Sequence, residues 1–350
     1  MRTSEIFKAP GIYIDMPESE YLADPSIGAS SLKLCVGETQ EWWWASQFNP
    51  NRPERKETSA TGFGTALHKM LLEGSEAYDA TYGIGFDKSA HPDALDTMEQ
   101  MKEYLRDNDL KVSGKKAELV FRIKEHDPSV EILDALKAIH LLSLGDREVI
   151  SPEWDHAIRV TKRIAERDPE IAKIFDEGLP EVSVFWIDDT GANCRARFDW
   201  LRRDCDWDLK SYAGRDGRKR SENIVRAVMD YRYDLSHAHY SAGRAAMRSL
   251  PIIGGTEQQR DYVRACAAYD APDFGFIFAK TVGAPFLEPV KLGPMIVGGA
   301  QTERSDALYR WCRFRDTLGL DTPWLTPSKL RTLNAVDFPA YFGLSSQMAA

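Results

Sequence analysis

Cysteine is scarce and scattered. The five cysteines (Cys35, Cys194, Cys205, Cys266 and Cys312) are odd in number and form no Cys-x-x-Cys pair. That argues against a disulfide framework or a structural zinc site and fits a reducing cytoplasm. No apolar run approaches the roughly 20 residues that a membrane-spanning helix needs, and the start, MRTSEIFKAPGIYIDM, lacks the layout of a signal peptide. Internal repeats and low-complexity tracts are missing too. Positive charge is not in excess: 45 Lys and Arg stand against 54 Asp and Glu, a net charge of −9. The chain therefore cannot coat nucleic acid through bulk charge, which still leaves room for a local basic channel.

What is present is a globular composition, 43% apolar and 28% charged over 350 residues, enough for one large domain with an insertion, or two domains. The most informative stretch is 181–212, EVSVFWIDDTGANCRARFDWLRRDCDWDLKSY. Its period-two alternation predicts a three-stranded meander over Glu181–Ile187, Ala192–Leu201 and Cys205–Tyr212. Phe198 and Trp200 alternate against Arg197 and Asp199, and Trp207 and Leu209 against Asp208 and Lys210. Two carboxylates and a lysine are thus expected on one face, where charge beside a core is costly unless it pairs or holds a metal. Around them, residues 195–232 carry eleven Lys and Arg against seven acids, Arg197, Arg215, Lys219 and Arg220 among them. Such a basic band suits a polyanionic substrate, although a solvated charged face would read the same way.

Elsewhere the pattern is mainly helical. Residues 1–30 read as loop and short extended pieces, after which Ser30 or Ser31 caps a helix containing Leu32 and Leu34. Trp42, Trp43 and Trp44 cannot all face one core, so at least one is expected at the surface. After a polar loop (49–60), TGFGTALHKMLLEG predicts a helix with Thr61 at its N-cap, Gly74 at its end, a buried stripe of Leu67, Leu71 and Leu72, and His68 beside it. Residues 129–178 read as helices spaced to cover a sheet. Helices are also expected at Glu222–Tyr233, Ser236–Leu250, Thr256–Tyr269 and Gln301–Leu318, with strands at Phe274–Lys280 and Pro285–Leu292.

Residues 95–126 form a self-contained pattern. A capping box at Thr97–Gln100 opens a helix with Met98, Met101 and Leu105 on its apolar face. After a hinge, Ser113 is expected to cap a second helix whose face is Ala117, Val120 and Ile123. Through Met101–Leu105, Leu110 and Ser113–Val120 this unit resembles a SAP motif, the helix–hinge–helix module that binds duplex DNA. Lys115 and Lys116 stand beside the second helix's N-terminus, where backbone N–H groups also favour phosphate.

The pattern Asp199, then Asp208-Leu209-Lys210, fits a metal-dependent phosphodiesterase on physical grounds. Mg²⁺ (or Mn²⁺) takes oxygen ligands and keeps several waters, so two carboxylates and a substrate phosphate suffice. The metal acidifies a bound water, and a lysine two residues on orients it and offsets developing charge. Taken with Ser30–Lys33, Gly62–His68, Glu181–Ser183, Arg197–Trp200 and Tyr233–Tyr240, the arrangement resembles the PD-(D/E)xK nucleases, in particular their exonuclease VIII (RecE-type) branch.

The resemblance implies an α/β fold: a mixed central sheet flanked by helices, with a small all-α SAP-like insertion. The nuclease domain would then begin in 1–92, be interrupted at 93–128, and resume over 129–350. It also implies that Asp199, Asp208, His68 and Glu181 hold the metal, that Lys210 is the catalytic lysine, and that Tyr240 lies along the DNA path. Beyond the residues, it implies a cytoplasmic exonuclease that resects linear double-stranded DNA from the 5′ end in phage-type recombination. A ring-like homo-oligomer and a single-strand annealing partner would accompany that activity. One departure stands out: Ser236 occupies the place where the family often has glutamine, so that either His237 or His239 substitutes or substrate positioning is weakened. A non-catalytic DNA-binding protein on a degenerate nuclease fold is the alternative. A relative with an iron–sulfur cluster fails for want of four suitably spaced cysteines.

Overall fold

The computed structural model describes residues 6–53, 59–215, 217–326, 328 and 330–338. The meander is its centre. Strands β4 (Leu179–Ile187), β5 (Asn193–Leu201) and β6 (Cys205–Tyr212) run antiparallel, joined by short polar turns, with edges within two residues of the expected ones. β1 (Gly11–Tyr13) pairs antiparallel with β4, and β7 (Ile252–Ile253) pairs parallel with β1. On the far side β8 (Asp273–Lys280) runs parallel to β6 and carries β9 (Leu287–Lys291) antiparallel. The mixed seven-stranded order is β7-β1-β4-β5-β6-β8-β9. A parallel β6–β8 pair needs a crossover. It is supplied by α11 (Arg220–Asp230), α12 (Tyr233–Ala246) and α13 (Glu257–Ala268).

Helices cover both faces, as the fold class expected from the sequence requires. One cluster packs Val182, Val184, Ala196 and Phe198 against α2 (Ala29–Gly37), α3 (Thr39–Ala45), α12 and α14 (Pro294–Leu318). The other packs Leu209, Ile277 and Ala279 against α4 (Ser59–His68), α5 (Ser75–Thr81), α9 (Pro152–Arg167) and α10 (Pro169–Phe175). Trp42 stacks on Trp324 and meets Trp311 edge-on, Trp43 donates to the Leu320 carbonyl, and Trp44 is exposed. The division expected of three adjacent tryptophans therefore holds.

The SAP-like unit has a core of its own. Helix α6 (Met98–Asp107) starts at the Thr97–Gln100 capping box, and α7 (Lys116–His126) packs on it through Leu119 and Ile123. Leu95 and Ile132 close the unit with a parallel bridge. Two expectations fail here: Lys115 rather than Ser113 is the N-cap, and Ala117 is exposed while Leu119 takes the inward place. The hinge runs two residues longer than Ser113 implied, which rotates the apolar stripe.

Other corrections follow from pairing that local patterns do not reveal. The N-terminal stretch contributes β1 and the helix α1 (Glu18–Ala23), since Gly11–Tyr13 gains partners only in the distant strands β4 and β7. At α2 the N-cap is Gly28, whose N–H bonds to the Ser31 hydroxyl, and Leu34 faces outward. Helix α4 begins at Ser59, ahead of Thr61, and α12 begins at Tyr233, ahead of Ser236. Helix α14 begins seven residues before Gln301, at Pro294, where proline suits a first turn. The helix α8 (Leu133–Leu144) does not cover the sheet. Ile139 and Leu142 are exposed, and only its ends are buried: Leu133 bonds to Leu95 of the SAP-like unit, and Leu144 lies over Gly83 in the small parallel pair β2 (Tyr82–Ile84) and β3 (Glu148–Ile150). All five cysteines are buried and unpaired.

Candidate metal-binding site

The site forms where the meander loses its regularity. β4 and β5 pair at Pro180–Trp200 and at Val182–Phe198, but Glu181 opposite Asp199 is skipped. Glu181 has φ 58°, a left-handed conformation that costs a non-glycine residue on the order of 1–3 kcal/mol and tends to mark functional sites. Only Trp200 and Trp207 register between β5 and β6. The Asp199 carboxylate fills the resulting gap, its Oδ2 accepting a hydrogen bond from the Leu209 backbone N–H at 2.8 Å. The alternation expected along β5 breaks at the same point. Phe198 packs beside Tyr240 in the cluster under α12, whereas Trp200 joins the opposite cluster and donates to the Ile174 carbonyl. Asp199 therefore reaches its neighbours through a distortion of the sheet, not through regular pleating.

Helix α4 brings His68 to this gap. Gly64 lets the helix come close, since a Cβ there would lie 3.1 Å from the Ser211 hydroxyl. A π-helical turn, Lys69–Glu73, follows His68 directly; such turns recur at functional sites. His68 Nε2 lies 3.1 Å from the Leu209 carbonyl and Nδ1 lies 3.7 Å from Asp199 Oδ2. Burial, then the Lys210 charge, pushes the His68 pKa down to about 4. A neutral imidazole donating from Nε2 to a carbonyl leaves the Nδ1 lone pair facing a carboxylate oxygen. Nothing in that contact is attractive unless a cation or proton lies between.

Ligand atoms of His68, Glu181 and Asp199 lie within 4.8 Å of one another, the one such trio among the described residues. Glu181 also receives the Arg197 guanidinium, which bonds to the Met16 carbonyl as well. Asp208 is not one of this trio, but its carboxylate acts directly on that of Asp199. It is 1% exposed, and Lys210 Nζ approaches its Oδ2 at 2.7 Å. Beyond that ion pair, neither Asp208 oxygen has a hydrogen-bond partner among the described residues. Burial, then the neighbouring Asp208, raises the Asp199 pKa well above 3.8. Burial also raises that of Glu181, against the pull of Arg197. Burial presses the Lys210 ammonium towards neutrality, but Asp208 and Asp199 outweigh it and keep it charged.

Orphaned buried oxygens, two carboxylates and one neutral imidazole lone pair fit a hard divalent cation such as Mg²⁺ or Mn²⁺. A pH-dependent consequence follows. Asp199 and Glu181 hold protons in the folded state above the pH where they lose them unfolded, so their contribution to stability is full below about pH 4 and falls as pH rises. His68 works in the opposite sense, but only between about 4 and 6.5. A cation that replaces the carboxylate protons therefore stabilises the fold more as pH rises. Saturating Mg²⁺ at 100 times its Kd should add about 2.7 kcal/mol, read as a rise in Tm that Asp199→Asn removes. A metal-induced shift independent of pH would contradict this assignment.

The remaining candidates divide into inward and outward groups. Arg197 is committed to Glu181, Arg195 lies over the Tyr21 ring, and Arg202 donates to the Lys173 and Ile174 carbonyls, so the basic band is not one surface. Arg215, Lys219 and Arg220 are exposed, the last over Phe286 and near Glu288. Lys115 is exposed, while Lys116 pairs with Asp134 at 2.7 Å. Tyr240 is half-buried, stacked on Phe274. Ser236 is buried; of its neighbouring histidines, His237 meets Ser241 and Phe274, and His239 meets the Arg195 carbonyl and Arg304. Two residues beside the site went unassigned in the sequence. Tyr21, under Arg195 and Arg197, lies on a helix read as loop; Tyr233, under Lys210, begins a stretch that carries the resemblance but has no role of its own there.

Residues 97–128 match the SAP domain family, so the helix–hinge–helix reading holds over that segment. No curated protein matches the chain. Among solved structures, the chain is similar to the crystal structure of a protein from Eubacterium rectale named "Putative exonuclease", with 14% identity and a TM-score of 0.46, over 93% of this chain and 99% of that one.

Proposed function

We propose that this chain is a divalent-cation-dependent deoxyribonuclease, built as a PD-(D/E)xK-type core with a DNA-gripping SAP segment. The observation that carries the reading is the meeting of His68, Glu181 and Asp199 beside buried Asp208 and its partner Lys210. These side chains would hold Mg²⁺ or Mn²⁺, which when bound supplies an acidified water and charge stabilisation at phosphate. Lys210 stays protonated between the two aspartates and presents a cation where negative charge develops. His68 fixes the edge of the site through the Leu209 carbonyl. The SAP match supports duplex DNA as the substrate. The RecE-type branch, 5′-to-3′ resection of linear duplex, a ring-like oligomer and an annealing partner are the finer form of this proposal, supported by the sequence resemblance.

The test is digestion of end-labelled linear and closed circular duplex with Mg²⁺ and with EDTA. Release of nucleotides from the linear form alone, and only with metal, is the expected result. Removing residues 95–132 should weaken duplex binding while short oligonucleotides are still hydrolysed. A second reading, a DNA-binding protein without catalysis, draws on Ser236, whose neighbouring histidines are both engaged elsewhere. It predicts no nucleotide release and equal DNA affinity for Asp208→Ala and the unaltered chain.

A further inference from the structure

Lys33 belongs to no part of the site described so far. It lies on α2, which is anchored by buried Leu32 and Cys35, and Arg310 donates to the Cys35 carbonyl. Its ammonium sits over the Tyr233 ring at 5.0 Å, and the ammonium of Lys210 sits over the same ring at 5.5 Å. The side chain is half-buried, and among the described residues it makes no hydrogen bond or ion pair. The two nearby acids are engaged elsewhere: Asp208 by Lys210 at 2.7 Å, and Asp234 by Arg232 at 3.0 Å.

The ring that gathers the two lysines is held in place by the backbone. Arg232 is left-handed, φ 50° and ψ 52°, and is pinned by Asp234 and Glu303. That turn stacks Tyr231 on Tyr233 at 5.7 Å, an arrangement a regular helix denies to residues two apart. Two ammonium groups are thus brought to one aromatic ring beside the site, and of the acids around them Asp208 pairs with Lys210, Asp199 also acts on Lys210, and Asp234 pairs with Arg232. A cation–π contact is a weak attraction, and here it is opposed by the repulsion between the two ammonium groups. Burial, then the Lys210 charge, lowers the Lys33 pKa to about 8, so the group is still mostly charged at neutral pH. What Lys33 lacks, among the described residues, is an anion in direct contact.

We propose that Lys33 is a substrate-binding residue that takes a phosphate oxygen of the DNA strand at the catalytic centre, next to Lys210. The assignment rests on the DNA-nuclease reading above and adds a second phosphate cation to it. Lys33→Met keeps the stem over Tyr233 and removes the charge; Lys33→Arg keeps the charge. With the full chain, duplex affinity is measured in Ca²⁺ across a salt series, and cleavage is measured in Mg²⁺. Losing one phosphate contact lowers the slope of log K against log salt by about 0.9. Lys33→Met should show that loss and a roughly 10- to 100-fold fall in kcat/KM, the scale of one charged hydrogen bond. Lys33→Arg should keep the slope.

An unchanged slope and unchanged kcat/KM in Lys33→Met would overturn the proposal. So would a fall in Tm with the slope intact, which marks a merely structural cation–π contact. Should Lys33→Met not fold, Lys33→Gln is read by the same two criteria. The two readings fail separately. If the unaltered chain cuts nothing but the slope difference appears, the nuclease reading is lost and the phosphate contact stands. If it cuts and the slope does not change, only the role of Lys33 is lost.

Discussion

Lys210→Met should lower kcat by on the order of 10²–10³, the loss seen when one charge-stabilising donor is removed from a preorganised site, while divalent cations still bind. The structure gives the reason for both halves. Lys210 is held by β6, whose parallel register with β8 sets it opposite Phe278, and by its approach to Asp208 at 2.7 Å over the Tyr233 ring. It contributes nothing to the trio of His68, Glu181 and Asp199. Removing it strips the nearest cation from a carboxylate that is 1% exposed, so the variant should depend more on metal for stability than the unaltered chain does. Single-turnover cleavage and the Mg²⁺-induced Tm shift measure the two effects. Lys210→Arg is not expected to rescue the rate, since a planar guanidinium fills the space differently from a compact ammonium. A variant cutting at the unaltered rate would remove Lys210 from the mechanism.

The legible part of the site was the part written in regular alternation. β6 keeps strict period two, so Asp208 and Lys210 on one side and Leu209 on the other could be read directly, and Leu209 does join the opposite cluster. β5 does not keep it. The break at Asp199 comes from a left-handed Glu181 across the ladder, and a glutamate gives no hint of positive φ as a glycine would. His68 could be assigned to a helix, but its depth beside the sheet depends on Gly64 against Ser211, a contact between distant segments. The basic band shows the same limit. Charge counts cannot separate Arg197, turned in to Glu181, from Arg215, turned out to solvent. Short strands such as β1 and β7 exist only as partners, since three or two residues carry no periodicity of their own.

Arg244→Met should cost about 3–5 kcal/mol at pH 8, the range for breaking one side of a buried ion pair, and distinctly less at pH 5. Arg244 lies 4% exposed on α12, with Nε 3.6 Å from Oδ2 of Asp206, itself 1% exposed. It also donates to the Arg202 and Arg203 carbonyls at 2.9 Å, while Asp206 Oδ1 accepts from the Arg202 N–H at 3.0 Å. Burial raises the Asp206 pKa to about 7 even with Arg244 opposite. This acid's contribution to stability is therefore full below about 3.8 and declines as pH rises through 7. At pH 5 Asp206 is neutral with or without Arg244, so only the carbonyl hydrogen bonds are lost. At pH 8 the variant must bury an unpaired carboxylate. Chemical denaturation at the two pH values separates these contributions, and equal losses would mean that the carbonyls matter and the charge does not. Asp206→Leu with Arg244→Met should recover stability, because an apolar pair removes both charges together. The recovery need not extend to cleavage. Asp206 ties the β5–β6 turn to α12 two residues before Asp208, so loosening it shifts the strand that carries Asp208 and Lys210.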